Sequence, residues 1–242
     1  MTDARFPIRI EGSGDLVSIL IDRSERGNML TLPLISMLAA HLRAISAEVK
    51  LVHLRGAGPD FCRGRDPLGN PQVKNAAQLR ETLIEPILDL YDALSACPVP
   101  VVASVRGIAR GFGAALAIAC DVTLASDTAR FSLPEMERDL PPTLAMSAAM
   151  RKIPPKALAH LVYSLNEIDA PTALSWGLVG AVVPDASLES ESDRLLATMQ
   201  ARSRSALVAV KEYQRAAPEL GPRAARDSAA NLLATVLSSA DR

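Results

Sequence analysis

Strands that alternate with helices through the first half of the chain predict an α/β fold with a parallel component. An aliphatic composition and a last third made of successive helical segments support the same class. The 242 residues fit one large domain, or one domain with a helical appendage. Hydrophobic residues make up 49% of the chain but aromatics only 3%, so the core is to be built from Leu, Val, Ile and Ala.

In order, Ile8-Arg9-Ile10 and Leu16 to Ile21 read as strands around the turn Gly12-Ser13-Gly14. Leu32 to Ile45 has apolar residues at helical spacing, and Lys50 to Leu54 returns to strand. The stretch from Gly56 to Asn75 is polar, carries Gly and Pro, and reads as a loop. Leu79, Leu83, Ile87, Leu90 and Leu94 form one helix stripe, which Pro86 is expected to kink. Val99 to Val105 is rich in β-formers, Gly107 to Gly113 is a tight loop, and the wholly apolar Ala114 to Ala119 suits a buried helix. Asp121 to Ala125 is a further strand, which favours βαβ units. After Pro142 only Gly180 to Val183 departs from helix. Residues 143–151, 155–164, 170–176, 186–201, 204–216 and 222–238 all carry helical patterns. The expected division is a core over 1–185 and a C-terminal helical region over 186–242, a surface suited to assembly.

Composition excludes several functions. The 26 basic and 27 acidic residues leave a net charge of −1, which offers no field to draw nucleic acid or an anionic membrane. Cys62, Cys97 and Cys120 are odd in number and lack metal-ligand spacing, so free thiols and no metal site are expected. No apolar run nears the ~20 residues of a membrane span. Met1 to Arg5 lacks a hydrophobic signal core, so a soluble, cytoplasmic protein is expected.

Two glycine-bearing turns carry the candidate chemistry. Phe61-Cys62-Arg63-Gly64-Arg65-Asp66 follows a strand and loop. Gly111-Phe112-Gly113 lies where the Val99–Val105 strand has turned and a helix begins. Glycine lets backbone approach a ligand, and a helix start leaves N–H groups unpaired. Two such amides aimed at one oxygen can stabilise an enolate or tetrahedral oxyanion. Neither turn is a dinucleotide or phosphate loop: a third glycine would have to replace Leu116, and no Gly-Lys-Ser/Thr follows.

The chain resembles the crotonase family, the enoyl-CoA hydratase/isomerase superfamily, over roughly Val17 to Lys211. The similarity is clearest from Val99 through Asp121 and in Ala129-Arg130-Phe131-Ser132-Leu133-Pro134-Glu135. Arg26-Gly27-Asn28-Met29-Leu30, the Phe61–Asp66 turn and Ala173 to Val179 follow the family's order. The resemblance implies a crotonase-like ββα superhelix with a C-terminal helical oligomerisation region, forming a homotrimer or a hexamer of two trimers. It also implies an acyl-CoA substrate, with coenzyme A entering as part of that substrate and no separate cofactor. By the same resemblance the oxyanion donors are the Arg65 and Phe112 amides, and Glu135 is the catalytic acid/base. Gly64, Asp66, Gly111, Gly113 and Thr143 are expected to contact substrate.

One departure bears on the reaction. The family's hydratases use two glutamates, and the position of the first, two residues after the Gly111–Gly113 turn, is Ala115 here. Alanine cannot move a proton, so one-base chemistry is expected: enoyl-CoA isomerisation, or an atypical hydratase or lyase reaction. The alternatives are hydration with Glu137 or Asp139 as substitute carboxylate, and a catalytically silent acyl-CoA-binding protein. Thr143 either meets a ligand or, the stronger expectation, caps the helix after it. Phe112 either narrows the acyl pocket or packs in the core. Arg23, Arg26 and Arg63 either meet the phosphates of coenzyme A or are solvated. His41 and His160 read as exposed or structural, His53 as a satisfied core residue, and Cys62 as a small buried side chain.

Overall fold

In the computed structural model residues 7–239 are described. The chain enters as a hairpin, with β1 (Ile8–Ser13) antiparallel to β2 (Leu16–Ile21) and Gly14 at its turn in the left-handed region, φ 60°. Helix α1 (Leu32–Arg43) returns the chain to β3 (Leu51–Gly56), which runs parallel to β2. After the loop come α2 (Ala76–Leu79), a five-residue π segment at Arg80–Ile84, and α3 (Glu85–Ala96). The interruption expected from Pro86 therefore takes the form of that π segment: proline has no N–H, and the Glu85 N–H reaches back five residues to Arg80 O.

Strands β4 (Val101–Val105) and β5 (Ile108–Arg110) lead into α4 (Phe112–Ala119), followed by β6 (Val122–Ser126) and β7 (Arg130–Ser132). Then come α5 (Thr143–Ala149), α6 (Pro155–Ser164), β8 (Ile168–Asp169), α7 (Ala170–Ser175) and β9 (Ala181–Val183). Helices α8 (Leu188–Gln200), α9 (Arg204–Ala216) and α10 (Pro222–Ser238) end the chain. The larger sheet has the order β1-β2-β3-β4-β6-β9 and is parallel from β2 onward. A smaller sheet runs β5-β7-β8, with β5 and β7 parallel.

This small sheet corrects one expectation. Residues 108–110 were expected inside a loop, but they pair with 130–132, Ile108 opposite Arg130 and Arg110 opposite Ser132. Three residues are too few to show a period-2 pattern, and each partner lies 22 residues on. Only the long-range pairing makes them a strand.

The central strands are buried on both faces, as parallel strands must be. Val101, Ala103 and Val105 join the main core with α1, α3 and α4, while Val102 faces the other way to Leu51 and Leu196 of α8. Helix α4 is buried from Phe112 to Ile118, which explains why it carries no polar residue. Lys211 of α9 is buried too: its Nζ bonds Asp121 at 2.7 Å, Leu94 O at 2.9 Å and Val99 O at 3.0 Å, pinning that helix to the β4 entrance. Helix α10 buries no residue in the single chain and leaves Leu233 and Leu237 exposed. Among the described residues no helix is long and apolar enough to cross a membrane.

Candidate active site

The two glycine turns meet because backbone bonds stitch them together. The Phe61 N–H donates to Arg106 O at 2.9 Å, the Cys62 N–H to Ile108 O at 3.1 Å, and the Arg110 N–H to Cys62 O at 3.0 Å. So close an approach needs glycine. A Cβ at Gly113 would lie 1.9 Å from Cys62 O, whereas one at Gly64 would make only an ordinary contact, 3.4 Å from Arg110 O. Gly64 and Gly111 also have positive φ, 127° and 55°.

The same stitching frees two amides. The Leu30 N–H donates to Gly64 O at 3.1 Å, and the Asp66 N–H donates to Leu30 O at 2.9 Å. In such a parallel bridge the flanking residues take both bonds, so the Arg65 N–H points away from Leu30. Phe112 is the first residue of α4, where an N–H has no acceptor within the helix. The Gly111 N–H is already committed to Ser132 O at 2.8 Å. The Arg65 and Phe112 amides are thus among those that the paired turns leave open.

Glu135 stands beside the second turn, in a short 3-10 segment, Glu135–Arg138. A Cβ at Gly111 would fall 2.8 Å from its Oε1, and its Oε2 is buried with no hydrogen-bond partner. Burial pushes this carboxyl above its ordinary range, against the opposing pull of its own backbone and of Arg138 and Arg110. A desolvated carboxylate with a free oxygen is a stronger base than one in water.

The other candidate positions have different surroundings. Asp66 is 1% exposed, and its carboxylate accepts from Arg23 at 3.1 Å, Arg26 at 2.9 Å and the Leu68 N–H at 3.0 Å. Arg23 also donates to Met29 O, and Arg63 pairs with Asp60 at 2.7 Å. Arg23 thus braces the first turn from within, while Arg26 and Arg63 pair with its carboxylates and stay about half exposed. Thr143 is exposed and is itself the first residue of α5; Pro142 occupies the cap position, so the expected side-chain cap does not form. Glu137 is exposed and paired with Arg110 at 2.9 Å. Asp139 closes the 3-10 segment with a left-handed φ of 54°. Both carboxylates are exposed, whereas Glu135 is half-buried with its Oε2 enclosed.

Phe112 is 7% exposed and its ring stacks on Tyr91 of α3, centroids 6.1 Å apart. Cys62 is fully buried, its thiol pushed up to about 12 by burial, so it is no nucleophile at neutral pH. His53 donates to or accepts from Ser104 at 2.8 Å and is lowered to about 4 by burial, as befits a satisfied core residue. Two contributors escaped the sequence reading. Asn28, fully buried at φ 55°, accepts from the Arg23 N–H and donates to Ala57 O and Asp60 O, fastening the first turn. Its signal was an Asn beside a glycine in a tight turn. Tyr91 falls within the α3 stripe and looks like any other core position. Among the described residues no three His, Cys, Asp or Glu side chains gather as metal ligands.

A parallel sheet, a cross-linked pair of glycine turns and a buried helix starting on the second define a crotonase-type ββα superhelix. The family model for enoyl-CoA hydratase/isomerase matches residues 11–242, and the chain belongs to that family. A Rhodobacter capsulatus protein described as a probable enoyl-CoA hydratase is 32% identical over 206 residues, covering 85% of this chain and 79% of the relative. The mitochondrial enoyl-CoA hydratase domain-containing protein 3 of Rattus norvegicus is 28% identical over 190 residues, or 78% of this chain. That match spans 63% of the rat protein's length. A Thermobifida fusca relative solved in complex with CoA superposes with TM-score 0.87 at 25% identity, covering 96% of this chain and 93% of that one.

Proposed function

We propose that the chain transforms an enoyl-CoA thioester by moving one proton, with double-bond isomerisation as the reaction. The observation that carries this reading is that, among the described residues, only one carboxylate keeps a buried oxygen without a partner: Glu135 borders the Gly111–Gly113 turn with Oε2 unpartnered, while the fully buried residue at 115 is alanine. The CoA-bound Thermobifida fusca relative supports the substrate class.

In this reading the Arg65 and Phe112 amides donate to the thioester oxygen. The Glu135 carboxylate takes a proton from C2 of a 3-enoyl thioester, and the electron pair moves to the thioester oxygen as a dienolate. Each donor of this kind contributes about 3–4 kcal/mol to the transition state. The Glu135 carboxylic acid then returns the proton to C4, leaving the 2-enoyl thioester. No water enters, so no second carboxylate is needed to position one.

The names of the curated relatives favour a hydratase reading. It would require Glu137 or Asp139 to swing inward, Glu137 giving up its 2.9 Å pair with Arg110. Supplying 3-hexenoyl-CoA and crotonyl-CoA separately divides the two. Isomerisation of the first with hydration of the second well below an ordinary turnover of order 10 s⁻¹ is expected. Hydration at that ordinary rate would overturn one-base chemistry. Turnover of neither, with thioester still bound, would mark a binding protein.

The bare apolar side chains of α10 support a trimer built through the C-terminal helices. A sedimentation mass of one chain would refute that assembly.

A further inference from the structure

A cavity of about 200 Å³ lies on the far side of the larger sheet from α4, between β2–β4 and helix α8. Strand alternation fills it: His53 and Arg55 of β3 and Ser104 of β4 share the face on which Leu51 and Val102 meet Leu196. Arg55 makes no hydrogen bond or ion pair among the described residues, and its Nε is buried without a partner. Two other charges of the lining are committed, Arg106 to Asp185 at 3.0 Å and Asp60 to Arg63 at 2.7 Å. Glu189 and Asp193 of α8 stand exposed on the rim, with no ion pair among the described residues. The bond that anchors His53 uses only one ring nitrogen. The Ser192 hydroxyl donates to Leu188 O at 2.6 Å, so the Ser104 hydroxyl donates to Ser192 at 2.7 Å, and His53 Nε2 must donate to Ser104 at 2.8 Å. His53 Nδ1 is then an acceptor with no partner among the described residues, on a ring that lines the cavity. Burial, and then the Arg55 charge, lower this ring to about 4 against the pull of Asp193, so it is neutral at pH 7.

We propose that this cavity binds a small aliphatic α-amino acid: Arg55 takes its carboxylate, His53 Nδ1 and the rim carboxylate of Asp193 take its ammonium, and its side chain lies along Leu16, Leu188 and Leu196. An unpaired guanidinium lining a cavity calls for an oxyanion, which it binds through parallel N–H donors. The free carboxylates on the rim repel a ligand that is only anionic and attract a cation. A molecule with both charges a few bonds apart meets both demands, and the neutral imidazole adds an acceptor that an ammonium N–H can use. Size agrees with this class. A water occupies about 30 Å³, so the cavity has room for about seven groups of that size, the scale of an amino acid and too little for a nucleotide. The site is independent of Glu135 and does not rest on the acyl-CoA reading.

The test titrates three compounds calorimetrically into the full chain, Arg55→Met and Asp193→Asn: L-leucine, 4-methylpentanoate, which lacks its ammonium, and 3-methylbutylamine, which lacks its carboxylate. Thermal unfolding checks that the variants fold; Asp193 is exposed, so its variant serves even if Arg55→Met does not fold. L-leucine is expected to bind the wild-type chain with Kd of about 1 mM or tighter, and each analogue at least about 10-fold more weakly. Arg55→Met should lose about 10- to 100-fold of the leucine affinity, the worth of hydrogen bonds to a charged group, and Asp193→Asn about 2- to 5-fold. No binding of L-leucine, either analogue binding as tightly as L-leucine, or leucine affinity unchanged in a folded variant would overturn the proposal.

Discussion

Gly113→Ala tests whether the two turns must touch. Gly113 does not need a left-handed backbone, so the only obstacle to alanine is space. The added Cβ would lie 1.9 Å from Cys62 O and 2.8 Å from Cys62 C. Restoring ordinary contact, about 3.4 Å, demands a displacement of about 1.5 Å between two segments held by three backbone bonds. Overpacking of this kind costs about 1–3 kcal/mol. For a chain of this size each kcal/mol lowers Tm by about 2–4 °C, so a fall of about 2–12 °C is expected. The functional loss should be larger, because Phe112 adjoins Gly113 and Arg65 lies on the turn being pushed. Misplacing reacting groups by about 1 Å costs up to about 10²-fold in rate. The assay pairs scanning calorimetry with enoyl-CoA isomerisation. A variant that kept wild-type Tm and rate would refute the claim that the turns form one rigid site.

Two further outcomes follow from the charges. Because burial raises the Glu135 carboxyl, the folded chain holds its proton more tightly than the unfolded chain does. The stabilisation that results is complete below the ordinary value of 4.5 and is lost as pH rises through the folded value. Glu135→Gln should therefore unfold at a higher temperature than wild type at pH 7, with the advantage shrinking toward pH 4; calorimetry across that range would show no such trend if the carboxyl were solvated. Asp66→Ala removes the partner of the buried Arg23 guanidinium, and breaking a buried pair costs about 3–5 kcal/mol. Chemical denaturation that detects less than about 1 kcal/mol would show that Arg23 finds water instead.

Much of the fold was legible because its longer elements carry strong periodicity. Residues 155–164, 204–216 and 222–238 read as helices and form helices with those bounds. Strands β5, β7 and β8 were not legible: each has two or three residues and is defined by a partner far along the chain. At the site, glycine spacing marked both turns, since only glycine tolerates a carbonyl 1.9 Å from its Cβ position. What surrounds the turns was harder to read. Arg23 and Arg26 read as either phosphate contacts or solvated charges because sequence shows their charge but not Asp66 between them. Tyr91 was hidden because a stripe of apolar spacing records which face is buried, not which buried ring stacks on Phe112.

The central claim is that Glu135 is the single base acting beside two amide donors. Incubating the chain with a 3-enoyl thioester in heavy water and following deuterium at C2 and C4 by NMR tests it most directly. Deuterium should enter in the wild-type chain, and Glu135→Gln should lose at least about 10²-fold of that exchange, the usual contribution of a positioned general base. Exchange that persists unchanged in a folded Glu135→Gln chain would place the base elsewhere and contradict the account.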